Sequence, residues 1–541
     1  MAADGAPRIG PARPLFDAVL LDRDGTLIED VPYNGDPEKV RPLPGVRQAL
    51  DRLRRAGLRL GVVTNQSGLA RGLFDADDLR QVNARVADLL GPFDTWQICP
   101  HDDGDGCRCR KPGPGLIEAA AAELGTDPRR CVVVGDIGRD VAAGQAAGAS
   151  AILVPTPVTR AEEVAAAPTV TANLTEAADT ILHRLRLAAP ARTNRTGRPR
   201  RVLVVRSDSA GDVLVTGPAI RAVAAGADRV ALLCGPQGRS AAELLPGIDE
   251  LIEWPLPWIE PAPAPVDAAG IAALTGRLAE AAVDEALIFT SFHQSALPLA
   301  LLLRMAGVPR VSAISDDYPG SLLDLRHRVR PGVPEPERAL SLAVAAGFAL
   351  ASDDEPALRI RPDAVPSDPV PADLAPGYVV VHPGASVPAR ACPPERYVEI
   401  VAALAEVGHR VVVTGGPAER DLTRRVASAG GVDLGGRTTL RVLAAVLARA
   451  ACVVVGNTGP AHLAAAVGTP VVSLYAPTVP FGQWAPYRVP LVRLGDAGAD
   501  CRDSRASVCP IPGHPCLDRV DPAEVVQAVR LIGVMHSEGR R

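Results

Sequence analysis

The chain has 541 residues, 47% of them apolar and 22% charged, with a formal charge of −5. That length asks for several folding units of about 150 residues each, and the composition is globular, not disordered. A net negative charge argues against a surface given over to nucleic acid, no apolar run reaches the ~18 residues of a membrane span, and ten cysteines in such a length are no disulfide scaffold. Aromatic residues are only 3%, so the cores must be built from Ala, Val and Leu. The first residues include Asp4 and no apolar run, which argues against a secretory signal.

Residues 1–13 read as a flexible tail. From Phe16 the pattern alternates short apolar runs, at 18–21, 58–63, 95–99 and 131–134, with stretches rich in Ala, Leu and Arg. Buried parallel strands joined by helices read this way, so a doubly wound α/β unit is expected over 14–187. Residues 184–201 carry seven Arg, two Pro and no acid. This stretch, centred on a linker at 188–200, is either a solvated connection or a patch for anionic lipid or a charged acceptor. A second βαβ series starts with the strand at 201–205 and runs to 360, with a Pro-rich loop at 254–266. A Pro-rich linker at 361–376 leads to a third unit, 377–541, with strands expected at 379–382, 410–414, 452–455 and 470–474. Two such lobes would enclose a cleft, a preferred place for ligands.

The first strand ends in Asp22-Arg23-Asp24-Gly25-Thr26, two carboxylates able to face one crevice. Thr64 and Asn65 end the second strand, Arg110 and Lys111 follow the third, and Asp136 ends the fourth with Asp140 beyond it. Phosphoryl transfer needs these parts: a nucleophile, a proton donor, carboxylates for Mg²⁺ and cationic clamps. Between them, Cys99, His101, Cys107 and Cys109 form C-x-H-x5-C-x-C. Four such ligands within eleven positions suit a closed tetrahedral Zn²⁺, whose work is to shape the loop that aims Arg110 and Lys111. The gaps from Asp24 to Thr64 and from Thr64 to Lys111 leave no room for a large cap, so an open site with loop-borne specificity is expected.

These motifs resemble the haloacid dehalogenase superfamily. With Thr64-Asn65-Gln66-Ser67-Gly68 and the Cys/His loop, residues 15–185 look like the heptose 1,7-bisphosphate 7-phosphatases and their relatives the histidinol-phosphate phosphatases. The resemblance implies that Asp22 forms an aspartyl-phosphate and Asp24 is the general acid and then base. It implies that Asp22, Asp136 and the Asp24 carbonyl hold Mg²⁺. Thr64 and Lys111 would bind the phosphoryl oxygens, Asp140 would orient Lys111, and Arg110 would meet the second phosphate or the sugar. Ile137 stands where relatives often carry a basic residue, with Arg139 nearby as a substitute.

In the second unit, Arg206-Ser207-Asp208-Ser209-Ala210-Gly211-Asp212 follows a strand, with a helix expected from 214 to 224. Asp212 there is either a cleft-facing carboxylate or an ordinary helix-start acid. In the third unit, His382-Pro383-Gly384-Ala385-Ser386 with Arg390, Thr414-Gly415-Gly416-Pro417, and Gly456-Asn457-Thr458-Gly459-Pro460-Ala461-His462 sit at three strand ends. Small residues, hydroxyls and helix starts in such places cradle a diphosphate. These residues resemble glycosyltransferase family 9, the ADP-heptose heptosyltransferases, over 201–535. The resemblance implies a GT-B pair of lobes, inversion without a metal, and Asp212 as general base. Arg390, Thr458, Gly459 and His462 would hold the diphosphate-heptose, and Glu419 the nucleoside; Asn457 stands where many relatives have Asp. His293 reads either as an acceptor contact or as a structural histidine. Cys501, Cys509, His514 and Cys516 read as a buried or loop-stabilising set, or as a second zinc site.

The expected protein is a cytoplasmic bifunctional enzyme, in peripheral contact with the inner membrane face if its acceptor is lipid-linked. It joins a phosphatase for a phosphorylated heptose to a transferase that takes heptose from a nucleotide diphosphate to a glycan or lipid-linked acceptor. The alternative is a histidinol-phosphate-type phosphatase fused to a transferase-like module with a binding role or another sugar.

Overall fold

The computed structural model describes residues 15–186, 200–260, 263–291, 294–366 and 374–538. The tail at 1–13, nearly all of the Arg-rich linker at 188–200, His293 and part of the linker at 361–376 lie outside the described residues.

Strands β1 (Ala18–Leu21), β2 (Arg59–Asn65), β3 (Thr95–Cys99), β4 (Cys131–Gly135) and β5 (Ser150–Leu153) form one sheet in the order β3-β2-β1-β4-β5. Every pair is parallel. β1 is buried along its whole length, which is why it reads as a continuous apolar run without alternation. The order puts β1 and β4 side by side at the centre, so Asp22 and Asp136 leave adjacent strands at one sheet edge. Helix Val46–Arg55 lies between β1 and β2 and helix Ala76–Leu90 between β2 and β3. The latter begins in a capping box, with Asp75 accepting from the Asp77 and Asp78 amides.

β6 (Arg201–Val205), β7 (Arg229–Cys234), β8 (Glu250–Glu253), β9 (Glu285–Ile288), β10 (Arg310–Ile314) and β11 (Leu325–His327) make a second parallel sheet, ordered β11-β10-β9-β6-β7-β8. The single helix expected at 214–224 is two: Ala210–Val215 and Gly217–Gly226. Pro218 has no amide to continue the first helix and instead sits at the start of the second, where that loss is harmless.

β12 (Val379–His382), β13 (Val411–Val413), β14 (Gly431–Asp433), β15 (Cys452–Gly456), β16 (Val471–Leu474) and β17 (Leu491–Leu494) form the third sheet, β14-β13-β12-β15-β16-β17, again parallel throughout. By internal contacts the chain falls into two compact units. One holds Arg184–Ala364; the other joins Phe16–His183 to Val365–Arg541. The second unit thus carries both the first and the third sheet, and Ala146 shares a buried cluster with Val381, Val454 and Ile532. Among the described residues no helix is long and apolar enough to cross a membrane.

Candidate active sites

Asp22 leaves β1 at its carboxyl end, its amide donating to Val134 O at 2.9 Å. Its carboxylate accepts from Lys111 Nζ at 2.6 Å, and the same ammonium reaches Asp140 Oδ1 at 2.5 Å and Val63 O at 2.9 Å. Lys111 is 3% exposed. Asn65 fixes the Lys111 backbone from both sides, accepting from its amide at 3.1 Å and donating to its carbonyl at 3.2 Å. Asp136 joins this group: carboxylate oxygens of Asp22, Asp136 and Asp140 all lie within 4.8 Å of one another. Gly25, at φ +77, makes room for it, since a Cβ there would stand 2.3 Å from Asp136 Oδ2.

Asp24 faces elsewhere. Arg23 Nη2 donates to its Oδ2 at 2.9 Å, and Gln66 Nε2 donates to the same oxygen at 2.8 Å and to Thr64 Oγ1 at 2.9 Å. Gln66 therefore ties the acid to the Thr64 hydroxyl, and buried Arg23 holds the acid from the other side. Neither role has a signal of its own in the sequence beyond adjacency to the motif.

Burial raises Asp22 to about 7; Lys111 pulls it down while Asp140 and Asp24 push it up. Burial, then Asp22 and Asp140, raises Asp136 to about 8. For Lys111, burial alone would lower the value, but Asp140 and Asp22 outweigh it and hold the ammonium above its ordinary range. Three buried carboxylates beside one ammonium leave negative charge to be met. A divalent cation meets it, so this donor set fits Mg²⁺, a hard ion that takes oxygen ligands.

The Cys/His loop converges as well. Cys99 Sγ stands 3.6 Å from His101 Nδ1 and 3.7 Å from Cys107 Sγ. Cys109 Sγ stands 3.4 Å from Cys99, 3.3 Å from His101 and 3.5 Å from Cys107. A tetrahedron with bonds of about 2.3 Å has edges of about 3.8 Å, so the four ligand atoms already outline one. No disulfide joins them. Burial, the leading cause, pushes the Cys99 thiol up to about 12, as expected of a thiol whose negative form lacks a counter-ion. From this loop Arg110 Nε reaches Asp103 Oδ1 at 2.7 Å, and Arg139 Nη1 reaches the same oxygen at 3.1 Å. Arg139 is thus engaged beside Arg110.

In the unit Arg184–Ala364, Asp212 occupies the third position of helix Ala210–Val215 in a capping box with Ser209, whose hydroxyl donates to Oδ2 at 2.7 Å. Its other oxygen accepts from Arg206 Nη2 at 2.7 Å. Arg206 is fully buried and also pairs with Asp208 at 3.0 Å and donates to Ser291 Oγ at 3.0 Å. Burial opposes its charge, but Asp208, Asp212 and Glu335 hold it above the ordinary guanidinium range. The sequence singled out Asp212; its fixed cation Arg206 was hidden in a strand-end run.

In the third sheet, His382 Nδ1 lies 3.0 Å from Thr414 Oγ1, linking the ends of β12 and β13. Burial lowers His382 to about 4 against the pull of Glu419, so the ring is neutral. Glu419 accepts from the Gly416 amide at 2.7 Å and fills the space over Gly384. Thr458 precedes helix Gly459–Ala466 without capping it through its side chain, and His462 is buried within that helix. Arg390 ends a short turn whose carbonyl lies beside Gly456 at the end of β15. Cys501 and Cys516 are buried in the core of this unit, and Cys509 Sγ bonds Ile511 O. Among the described residues, groups of possible metal ligands form at the two places above and not here.

The fold and these sites define a haloacid dehalogenase-type hydrolase joined to a glycosyltransferase. The HAD-hydrolase-like family matches residues 108–182, and glycosyltransferase family 9 (heptosyltransferase) matches 271–512. A D-glycero-beta-D-manno-heptose-1,7-bisphosphate 7-phosphatase of Rhodopseudomonas palustris is 39% identical over 149 residues, 26% of this chain and 81% of that protein. The protein of the same name from Bordetella bronchiseptica is 39% identical over 143 residues, 26% of this chain and 80% of its own length. A glycosyl transferase family 9 structure from Veillonella parvula matches with TM-score 0.50 at 18% identity, over 63% of this chain and all of that one, a likeness of fold. The chain belongs to the heptose-bisphosphate 7-phosphatase family and carries a glycosyltransferase family 9 domain behind it, so it is a bifunctional enzyme of heptose metabolism.

Proposed function

We propose that the first module, 14–187, removes the 7-phosphate of D-glycero-β-D-manno-heptose 1,7-bisphosphate through an aspartyl-phosphate on Asp22. The observation that carries this reading is the buried group of Asp22, Asp136, Asp140 and Lys111, with Asp24 two residues on and tied through Gln66 to Thr64. The anomer is that of the named relatives. Asp22 attacks phosphorus as the bond to the sugar oxygen breaks, and Asp24 gives that oxygen its proton. Asp24 then takes a proton from water, which attacks the aspartyl-phosphate and releases inorganic phosphate. Lys111 and Thr64 hold the equatorial oxygens. Asp22, Asp136 and the Asp24 carbonyl would hold Mg²⁺, which neutralises phosphoryl charge when bound. Cys99, His101, Cys107 and Cys109 would hold a structural Zn²⁺ that sets the pose of Arg110. The 3₁₀ turn Pro37–Lys39 and the helices Val46–Arg55 and Ala76–Leu90 are read as all that stands in for a cap.

The lobes at 201–360 and 377–541 are read as the acceptor and nucleotide-sugar halves of an inverting GT-B-type heptosyltransferase. Asp212, poised by Arg206 and Ser209, deprotonates the acceptor hydroxyl. Arg390, Thr458, Gly459 and His462 hold the diphosphate of an ADP-heptose-like donor, with Glu419 toward the nucleoside, and no metal is required. The acceptor is a glycan, lipid-linked or free, met in the cytoplasm or at the inner membrane face. A nucleotidyl-transfer reaction must lie between the two activities, since the first yields a sugar 1-phosphate and the second consumes a nucleotide-sugar. The test is a pair of assays on the full chain: phosphate release with Mg²⁺, abolished in Asp22→Asn, and nucleoside diphosphate release from ADP-heptose with a lipid-linked core glycan acceptor, abolished in Asp212→Asn.

A further inference from the structure

Asp212 belongs to a charge network that is out of balance. Arg206 follows β6 and Ser291 lies beyond β9; the two strands are neighbours in the sheet, and their ends meet. Arg206 is 1% exposed and has Asp212 at 2.7 Å, Asp208 at 3.0 Å and Glu335 at 4.0 Å. Arg338, on helix Glu335–Ala345 with Glu335, stands 3.4 Å from that carboxylate and donates to Thr290 O at 2.6 Å. Asp316, exposed in the loop after β10, faces Arg338. Arg206 and Arg338 together thus meet three close carboxylates, Asp208, Asp212 and Glu335.

Asp208 is as firmly held as Arg206. Ser291 Oγ, which accepts from Arg206, donates to Asp208 Oδ2 at 3.0 Å, and Gln294 Nε2 donates to Oδ1. Burial raises Asp208 above the usual carboxylate range, against the pull of Arg206 and with a further push from Asp212. A carboxylate clamped by a guanidinium is a poor base, because the cation favours its ionised form. Arg206 would have this effect on Asp212 if it had no other partner. Asp208 and Glu335 compete for the same guanidinium, and buried charges this close are little screened. Neither is open to a substrate, their side chains being 8% and 1% exposed, whereas Asp212 is 16% exposed.

Resting on the reading of Asp212 as the base, we infer that Asp208 and Glu335 are positioning residues for the transfer reaction, dividing the charge of Arg206 so that Asp212 is fixed in place and still takes a proton. Arg206 and Ser209 anchor one Asp212 oxygen each. The proton of the acceptor hydroxyl passes to Asp212 as the acceptor oxygen bonds the anomeric carbon and the nucleoside diphosphate leaves.

The experiment is the pH profile of transfer by the full chain, read as nucleoside diphosphate release from ADP-heptose with a lipid-linked core glycan. The parent is compared with Asp208→Asn, Glu335→Gln and Asp212→Asn. Without the Asp208 charge, Arg206 acts undivided on Asp212 and favours its ionised form, so the base is weaker and loses its proton at lower pH. Asp208→Asn should move the acid limb of kcat/KM down by about one pH unit. Its plateau kcat should fall about three- to tenfold with KM held. Glu335→Gln should move both in the same direction by less, from its greater distance. Where Asp208→Asn does not fold, the Glu335→Gln profile decides. A limb that stays in place or moves up would overturn the inference, and a lower rate with an unmoved limb would mean these carboxylates serve the fold alone. Transfer retained in Asp212→Asn, or absent in the parent, would instead sink the reading of Asp212 as the base, and this inference with it.

Discussion

Asp22 is a reluctant anion even with the Lys111 ammonium beside it. With burial lifting Asp22 to about 7 and Asp136 to about 8, both bind protons in the folded protein that the unfolded chain has lost above about 4. A raised carboxylate value means stability that is present below the unfolded value and lost as pH rises through the folded one. The metal-free protein should therefore lose stability between about pH 4 and 8 from these groups. Mg²⁺ should raise Tm more at pH 8 than at pH 6, measured by thermal unfolding with and without the ion; an equal shift at both values would contradict the charge-crowding account. Asp22→Asn should lower phosphate release by about 10³-fold or more while nucleotide-sugar transfer holds, and Asp212→Asn should do the reverse, both read on the same preparation. The grouping of the carboxylates with Lys111, and of Cys99, His101, Cys107 and Cys109 with one another, was legible because each follows an apolar strand or sits in a fixed spacing. The supporting Gln66, Arg23 and Arg206 were not, because which neighbour a side chain turns toward is decided by packing across strands and not by its place in a motif.

The loop from Cys99 to Lys111 is the element on which the phosphatase mouth depends. It holds only a three-residue 3₁₀ turn, Asp103–Asp105, and its Cys107 and Cys109 lie only partly buried against the core. With so little packing of its own, its shape would come from a metal held by Cys99, His101, Cys107 and Cys109. Cys109→Ser should drop bound zinc below one equivalent by metal analysis and raise KM for the bisphosphate through the loss of Arg110's pose, with transferase activity retained. Full zinc occupancy in that variant would contradict the ligand assignment. Central strands were readable for a related reason: β1, β4, β6 and β12 are short, nearly or wholly apolar and lie where expected. The edge strands β8, β11 and β14 were not, since half-buried sequences such as Leu325–His327 and Gly431–Asp433 show neither an apolar run nor an alternation. The single helix expected at 214–224 breaks at Thr216 because Pro218 suits the first turn of a helix and not its interior.

At the scale of the molecule, chain order suggests three modules in a row, yet the first packs on the third within one unit. The contact is made by residues with no chemical signature. Gly482 approaches Pro168 so closely that a Cβ would stand 1.7 Å from its carbonyl oxygen. Arg493 donates to Ala166 O at 3.0 Å while its guanidinium lies over Phe481 and Tyr475. Small residues of this kind read in sequence as ordinary turns, so the packing was invisible there. Gly482→Ala should force the two backbones apart and cost about 1–3 kcal/mol, seen as a lower Tm in thermal unfolding. An unchanged Tm would show that the contact bears little of the stability. Whether both halves serve heptose chemistry is decided by phosphate release with Mg²⁺ from the two anomers of heptose 1,7-bisphosphate and from histidinol phosphate, each with an Asp22→Asn control. Fast, Asp22-dependent release from the β anomer is the predicted result. Preference for histidinol phosphate, or release from none of the three, would contradict it and leave the transferase donor to be sought without the phosphatase as a guide.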